Sequence, residues 1–296
     1  MTHIETAKPS VASSAPLVYR VGDESSSVIY VRLAGATEVH RLTANKRVWE
    51  SDPVLSANGE LIAYAIADGP EARSEVWVAH IDGSHAHRVS GAEEDAIMPA
   101  FAPDGKTLLY VKSRFNGHYS PIARPRRHKF DVVKVIVDAD GPVAGASPVE
   151  LTQQNFFDMH SLSVSPDGEH FLLSTSGYPI GSLIEEFEIA NPLEIHKIFQ
   201  PHVTSEPSTG ASFGHAAYVH NGMDIVFTAA TEGTGGMFDY NVYQMSDVTG
   251  GALIMLAKHT GMIDSLAATV DGTIYVTANN KRMVLDSQTK SLNPVN

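Results

Sequence analysis

Short apolar runs of four to six residues alternate along this chain with tight polar turns, and the runs carry β-branched and aromatic residues rather than a helical spacing. One unit recurs. An apolar stretch is followed by a polar turn ending in glycine, then by a second apolar stretch. It reads Pro53-Val-Leu-Ser-Ala-Asn58-Gly59-Glu-Leu-Ile-Ala-Tyr64 and then Pro99-Ala-Phe-Ala-Pro-Asp104-Gly105-Lys-Thr-Leu-Leu-Tyr110. Further copies end on Asp167-Gly168, Asn221-Gly222 and Asp271-Gly272. Asn-Gly and Asp-Gly favour a tight reversal because both residues accept positive φ. The pattern predicts strands joined by hairpins throughout.

Successive turn glycines lie 46, 63, 54 and 50 residues apart. That is the period of a propeller blade with loop insertions, typically about 40–50 residues. The tail of the unit recurs as well. Val76-Trp-Val-Ala-His-Ile-Asp-Gly83 with His87-Arg-Val-Ser90 matches Val28-Ile-Tyr-Val-Arg-Leu-Ala-Gly35 with His40-Arg-Leu-Thr43. The second pair implies a blade before the first turn, with Leu17–Val21 the strand of its degenerate inner part. The predicted fold is all-β, a six-bladed β-propeller of four-stranded antiparallel blades. Residues 15–296 form it as one domain, with residues 1–14 a tail or a closing strand.

The cadence Ser-Pro-Asp-Gly, two apolar strands, Asp-Gly, Arg-Leu-Thr resembles the TolB-like propeller family, which is related to WD repeats. The resemblance spans roughly residues 15–290. It implies a rigid disc whose rim binds other molecules. Some TolB-like propellers, the oligogalacturonate lyases, hold a divalent metal with histidines at the channel mouth and cleave acidic sugars. This chain is shorter than those enzymes.

Composition narrows the function. The net charge of −13 disfavours nucleic-acid phosphates as partners. The absence of cysteine excludes disulfides and thiolate metal sites. No apolar run approaches the roughly 20 residues of a membrane helix, and the N-terminus lacks the apolar core of a signal peptide. The expectation is a soluble cytoplasmic protein, periplasmic if a leader has been removed. A closed ring needs no self-association, so a monomer is expected.

In a propeller, the residues entering each innermost strand surround one mouth of the channel. Those residues here include Asp52, Met98, His160, His215 and Asp264. Two imidazoles and a carboxylate suit a divalent ion, so His160, His215 and Asp264 are the candidate ligands for Mn, Zn or Ca. The plainer reading is structural: the histidines cap strand ends by hydrogen bonding and Asp264 binds a neighbouring backbone N–H. The longest insertion, Lys112–Lys129, is basic in an acidic chain. Its Arg114, His118, Arg124, Arg126 and Arg127, with Tyr178 from the next blade, are candidate ligand-binding residues for a carboxylate or phosphate. The alternative is a solvated loop whose cations pair with Asp and Glu of neighbouring blades. Gly233, Gly235 and Gly236 lack the context of a phosphate loop, and no Gly-x-Ser-x-Gly elbow is present.

Three functions stand on this evidence. The first is a binding scaffold for a protein or small ligand at the mouth face. The second is a metal-dependent lyase or hydrolase acting on a uronate-like carbohydrate. The third is a receptor for a small anionic ligand. Whether the protein is an enzyme stays open at this level.

Overall fold

The computed structural model describes residues 16–22, 26–43, 49–118, 126–177, 181–199, 212–219, 222, 224–232, 238–246, 253–269, 272–278 and 281–295. Twenty-four strands and six antiparallel sheets account for the regular structure among them. The sheets follow one another along the chain as blades.

Blade 2 holds β4 (Trp49–Leu55), β5 (Leu61–Ala67), β6 (Ser74–His80) and β7 (His87–Arg88), paired in that order. Blade 4 repeats it with β13 (Asp158–Val164), β14 (His170–Gly177), β15 (Gly181–Glu188) and β16 (Ile195–Phe199). Blade 5 does so with β17 (Ser212–Val219), β18 (Asp224–Glu232), β19 (Phe238–Ser246) and β20 (Leu253–Ala257). Blade 6 closes the order with β21 (Ser265–Ala268), β22 (Ile274–Ala278), β23 (Lys281–Asp286) and β24 (Ser291–Pro294). The first strands are neighbours around the ring: β4 packs on the first strand of blade 3, that strand on β13, β13 on β17, and β17 on β21.

Blade 3 is larger. It contains β8 (Asp95–Phe101), the long hairpin β9 (Thr107–Gly117) and β10 (Arg126–Asp138), then β11 (Gly141–Pro142) and β12 (Val149–Glu150), both paired to β10. Blade 1 shows three strands among the described residues: β1 (Leu17–Gly22), β2 (Ser27–Arg32) and β3 (His40–Arg41). Here the structure departs from the sequence reading of blade 1. Leu17–Val21 pairs with β2 and so takes the place that β5 holds beside β6, not an inner position. Residues 1–14, the expected tail or closing strand, lie outside the described residues.

Period-two alternation builds the core. In β9, Leu108 and Tyr110 face blade 2, packing with Leu61, Ala63 and Val76. Leu109 and Val111 face blade 4, packing with Phe171, Leu173 and Phe187. A middle strand is therefore buried on both faces, and its sequence is continuously apolar for that reason. The same logic seals blade 4 to blade 5 through Leu172, Ile184 and Phe227, and blade 5 to blade 6 through Val226, Val242 and Val276.

The turn motif has a local and a long-range cause. Asp104 and Asp167 each accept, through Oδ1, the N–H two residues on, at 2.8 and 2.9 Å. This is the Asx turn that sets the reversal. The glycine after it takes φ of 67° at Gly105 and 76° at Gly168. At Gly168 a Cβ would also meet Pro103 of the preceding blade at 3.4 Å, so each turn nests on the turn before it.

Candidate functional site at the channel mouth

The innermost strands β4, β8, β13 and β17 each carry a register shift near their entry end. The shifts fall between Ser51 and Val54, Ile97 and Ala100, Met159 and Ser161, and Gly214 and Ala217. A bulge re-aims a side chain and bends its strand. Asp52, Met98, His160 and His215 are the residues so placed. Three of them have left-handed backbone: φ is 51° at Asp52, 50° at Met98 and 48° at His215. Non-glycine residues in that region are strained, and such strain concentrates at functional positions.

The bulges also bind one blade to the next. Asp52 Oδ2 accepts the Met98 N–H at 3.2 Å. Ser161 Oγ accepts the Ala216 N–H at 2.8 Å. The His215 ring bonds to the backbone of Asp264 in blade 6 and lies within electrostatic reach of His160. Burial, then the neighbouring His160, holds the His215 imidazole well below its ordinary value, at about 4. His215 is therefore neutral at pH 7. His160 Nε2 lies 3.1 Å from Ser176 Oγ.

His160, His215 and Asp264 thus share one rim, and it is the backbone of Asp264 that meets His215. The groups of three His, Asp or Glu donors that close to within 4.8 Å of one another among the described residues lie elsewhere, on blade 4, and both include His170.

The β9–β10 hairpin rises over the same end, because Asp95 at the start of β8 is opposite Ser113. Three of its cations are engaged in ion pairs. Arg114 pairs with buried Asp131 at 3.0 Å and with Glu150. Arg127 Nε donates to both oxygens of Asp95 at 2.9 Å, and its Nη2 donates to Ala72 O at 2.7 Å and Ser74 Oγ at 2.9 Å. Lys112 pairs with Glu94 at 3.0 Å. Arg114, Arg127 and Lys112 thus pair with acids, but those acids lie on blade 3 itself (Asp131, Glu150, Asp95) or directly before it (Glu94) and not on neighbouring blades. Arg126 and His118 are exposed. Arg124 and Tyr178 lie outside the described residues, as do Gly233, Gly235 and Gly236.

Sequence reasoning pointed to aromatic residues in the loop of Phe238 but missed Phe115, Phe157 and Met262 on this face. The His128 ring stacks between Phe157, with centroids 4.7 Å apart, and Phe115, at 6.3 Å. Yet Phe115 and Phe157 are 43% and 46% exposed. Phe238 is 58% exposed at the tip of the β18–β19 hairpin, and Met262 is 59% exposed just before β21. All four sit at the entry end of the innermost strands. The signal was the Phe156-Phe157 pair directly before β13: Phe156 packs against the core beside Phe187, while Phe157 stays outside.

No family model matches the chain. A 50-residue stretch, 17% of this chain and 11% of the relative, is 44% identical to the Tol-Pal system protein TolB of Aromatoleum aromaticum. Among solved structures, TolB from Acinetobacter baumannii superposes with a TM-score of 0.64 at 12% identity, covering 96% of this chain and 64% of that one. An oligogalacturonate lyase in complex with manganese superposes with a TM-score of 0.60 at 13% identity, covering 95% of this chain and 74% of that one. The fold is a TolB-like six-bladed β-propeller. The chain spans less than two thirds of the solved TolB and about a tenth of the curated relative in the matched stretch. No helix among the described residues is long and apolar enough to cross a membrane.

Proposed function

We propose that this chain is a binding propeller whose channel-mouth face docks a protein partner. One observation carries the reading: Phe115, Phe157, Phe238 and Met262 are exposed together around one end of the ring. Large exposed apolar groups gathered on one face mark an interaction surface, and aromatic residues are the usual anchors of one. The blades beneath are rigid, so the face is presented without an ordering cost. The basic hairpin supports the same reading. With Arg114 and Arg127 held in ion pairs, it buttresses the aromatic stack instead of offering free forks to an anion. The TolB likeness also favours the periplasmic alternative over the cytoplasmic expectation.

The test is a photo-reactive amino acid placed at Phe157 or Phe238 in cells of the native host. A discrete protein adduct from both positions, absent when the probe replaces Ile254 on outer strand β20, supports the reading. Equal labelling from all three positions, or none from the mouth, contradicts it.

A second reading is favoured by the His160–His215 pair: a metal-dependent enzyme acting at the mouth. His215 is neutral and strained and stands beside a second imidazole, which suits a ligand. The Asp264 carboxylate would have to turn toward the pair to complete a set of three, so no catalytic step is derived through a metal. Metal analysis of tag-free protein tests it: stoichiometric Mn or Zn lost in His160→Ala and His215→Ala supports the enzyme, and metal content indifferent to both changes contradicts it.

A further inference from the structure

Away from the mouth, at the opposite end of blade 4, three strands bring two imidazoles and a carboxylate together. His170 opens β14, and Glu188 closes β15 directly across from it. His196 lies on outer strand β16, where pairing passes from Glu186–Lys197 to Phe187–Ile195 and leaves His196 unpaired in the ladder. That bulge turns the His196 side chain toward Glu186 and Glu188. His196 Nδ1 is 3.0 Å from Glu188 Oε1, and its ring centroid is 5.2 Å from that of His170. One ligand atom from each of His170, Glu188 and His196 falls within 4.8 Å of the others.

We propose that His170, Glu188 and His196 form a binding site for a divalent transition ion, with zinc the best fit. Two neutral imidazoles and one carboxylate are a zinc donor set, with a fourth position for water. Zinc–ligand bonds of about 2.0–2.1 Å in a tetrahedron put donors about 3.3 Å apart. The His196–Glu188 pair is close to that spacing at 3.0 Å, and half-buried His170 needs only a side-chain adjustment. His170 and Glu188 are paired in the ladder and His196 is flanked by paired residues, so the donors sit on strands and not on a loop.

The surroundings provide an outer layer. Glu186 Oε2 stands 3.9 Å from the other ring nitrogen of His196, Nε2. Glu186 is itself held by the Tyr218 hydroxyl of blade 5, which donates to its Oε1 at 2.7 Å. A carboxylate behind a ligating imidazole fixes the ring and strengthens it as a donor. Asp167, 3.9 Å from His170 Nδ1, lies on the open side. A simple surface ion pair between His196 and Glu188 needs neither His170 opposite nor Glu186 behind. Because the site is built entirely within blade 4 and against blade 5, it is independent of the mouth-face reading.

The experiment uses tag-free, chelator-treated full chain carrying His160→Ala and His215→Ala, so that the mouth histidines contribute nothing. Zinc chloride is titrated by calorimetry, and thermal unfolding is followed with and without zinc. One equivalent of zinc should bind and raise Tm, because a ligand of the native state alone stabilises it. Adding His196→Ala, or the isosteric Glu188→Gln, should weaken binding by at least about tenfold and abolish the rise in Tm. The zinc-free Tm of each variant shows that it is folded. Absence of zinc binding, or binding unchanged by both substitutions, overturns the proposal.

Discussion

The guanidinium of Arg282 lies 3.9 Å from the centroid of the Tyr275 ring. The Tyr19 ring of blade 1 has its centroid 5.9 Å from the same guanidinium, and Arg282 Nη1 donates to Val18 O at 3.2 Å. Blade 6 is thereby fastened to blade 1 across 264 residues of chain. Among the described residues, blade 6 meets blade 1 at this cation, whose burial is offset by the two nearby rings and the carbonyl.

Arg282→Ala should cost about 1–2 kcal/mol, the range of a partly desolvated cation–π contact. The loss should be local. Amide exchange should quicken first in β1 and β22, and urea unfolding should report the lower stability. Uniform acceleration over all blades would mean that closure does not depend on this residue.

His215 makes stability depend on pH. The native imidazole titrates near 4 and the unfolded one near 6.5, so between those values the unfolded chain binds more protons. The His215 contribution is complete above pH 6.5 and is lost as pH falls through about 4. The separation corresponds to about 3 kcal/mol. Urea unfolding in chelator-containing buffer at pH 7 and pH 4 should show a much shallower pH dependence in His215→Gln than in the parent. Equal slopes would show that His215 is not buried against blade 6.

Arg127 tests whether the basic hairpin is structural. Held by Asp95 of its own blade, it fastens blade 3 to blade 2 through Ala72 O and Ser74 Oγ. Arg127→Met removes the cation from buried Asp95, leaving it the Ser74 N–H as a donor, and should cost about 3 kcal/mol. Adding Asp95→Asn should recover part of that loss by removing the unpaired charge. A neutral Arg127→Met would show that the fork is not committed to the fold.

Much of this architecture was legible in the sequence because blades repeat. Gly59, Gly105 and Gly168 mark equivalent turns, and the positive φ they share needs glycine whatever the blade. Blade 1 was harder, since Leu17–Val21 precedes no turn motif and only its pairing with β2 fixes its place. The rim positions of His160, His215 and Asp264 followed from the same repeat. Their contacts did not, because which atom of Asp264 meets His215 depends on packing between blades. The partners of Arg127 and Arg114 were hidden for a similar reason. Asp95 and Asp131 look like ordinary strand residues until β8, β9 and β10 are set in register. The blade 4 cluster was least visible: His196 joins it through a bulge, and bulges leave no fixed mark in sequence.

The central claim, that the mouth face is the binding surface, is tested most directly on the partner captured at Phe157 and Phe238. Its affinity should be measured by calorimetry for the parent chain, for Phe157→Asp with Phe238→Asp, and for Ile254→Asp on the outer edge. The double change should weaken binding by at least about tenfold, as loss of aromatic anchors does, with Tm unaltered, and Ile254→Asp should leave affinity unchanged. Full affinity in the double variant would contradict the account.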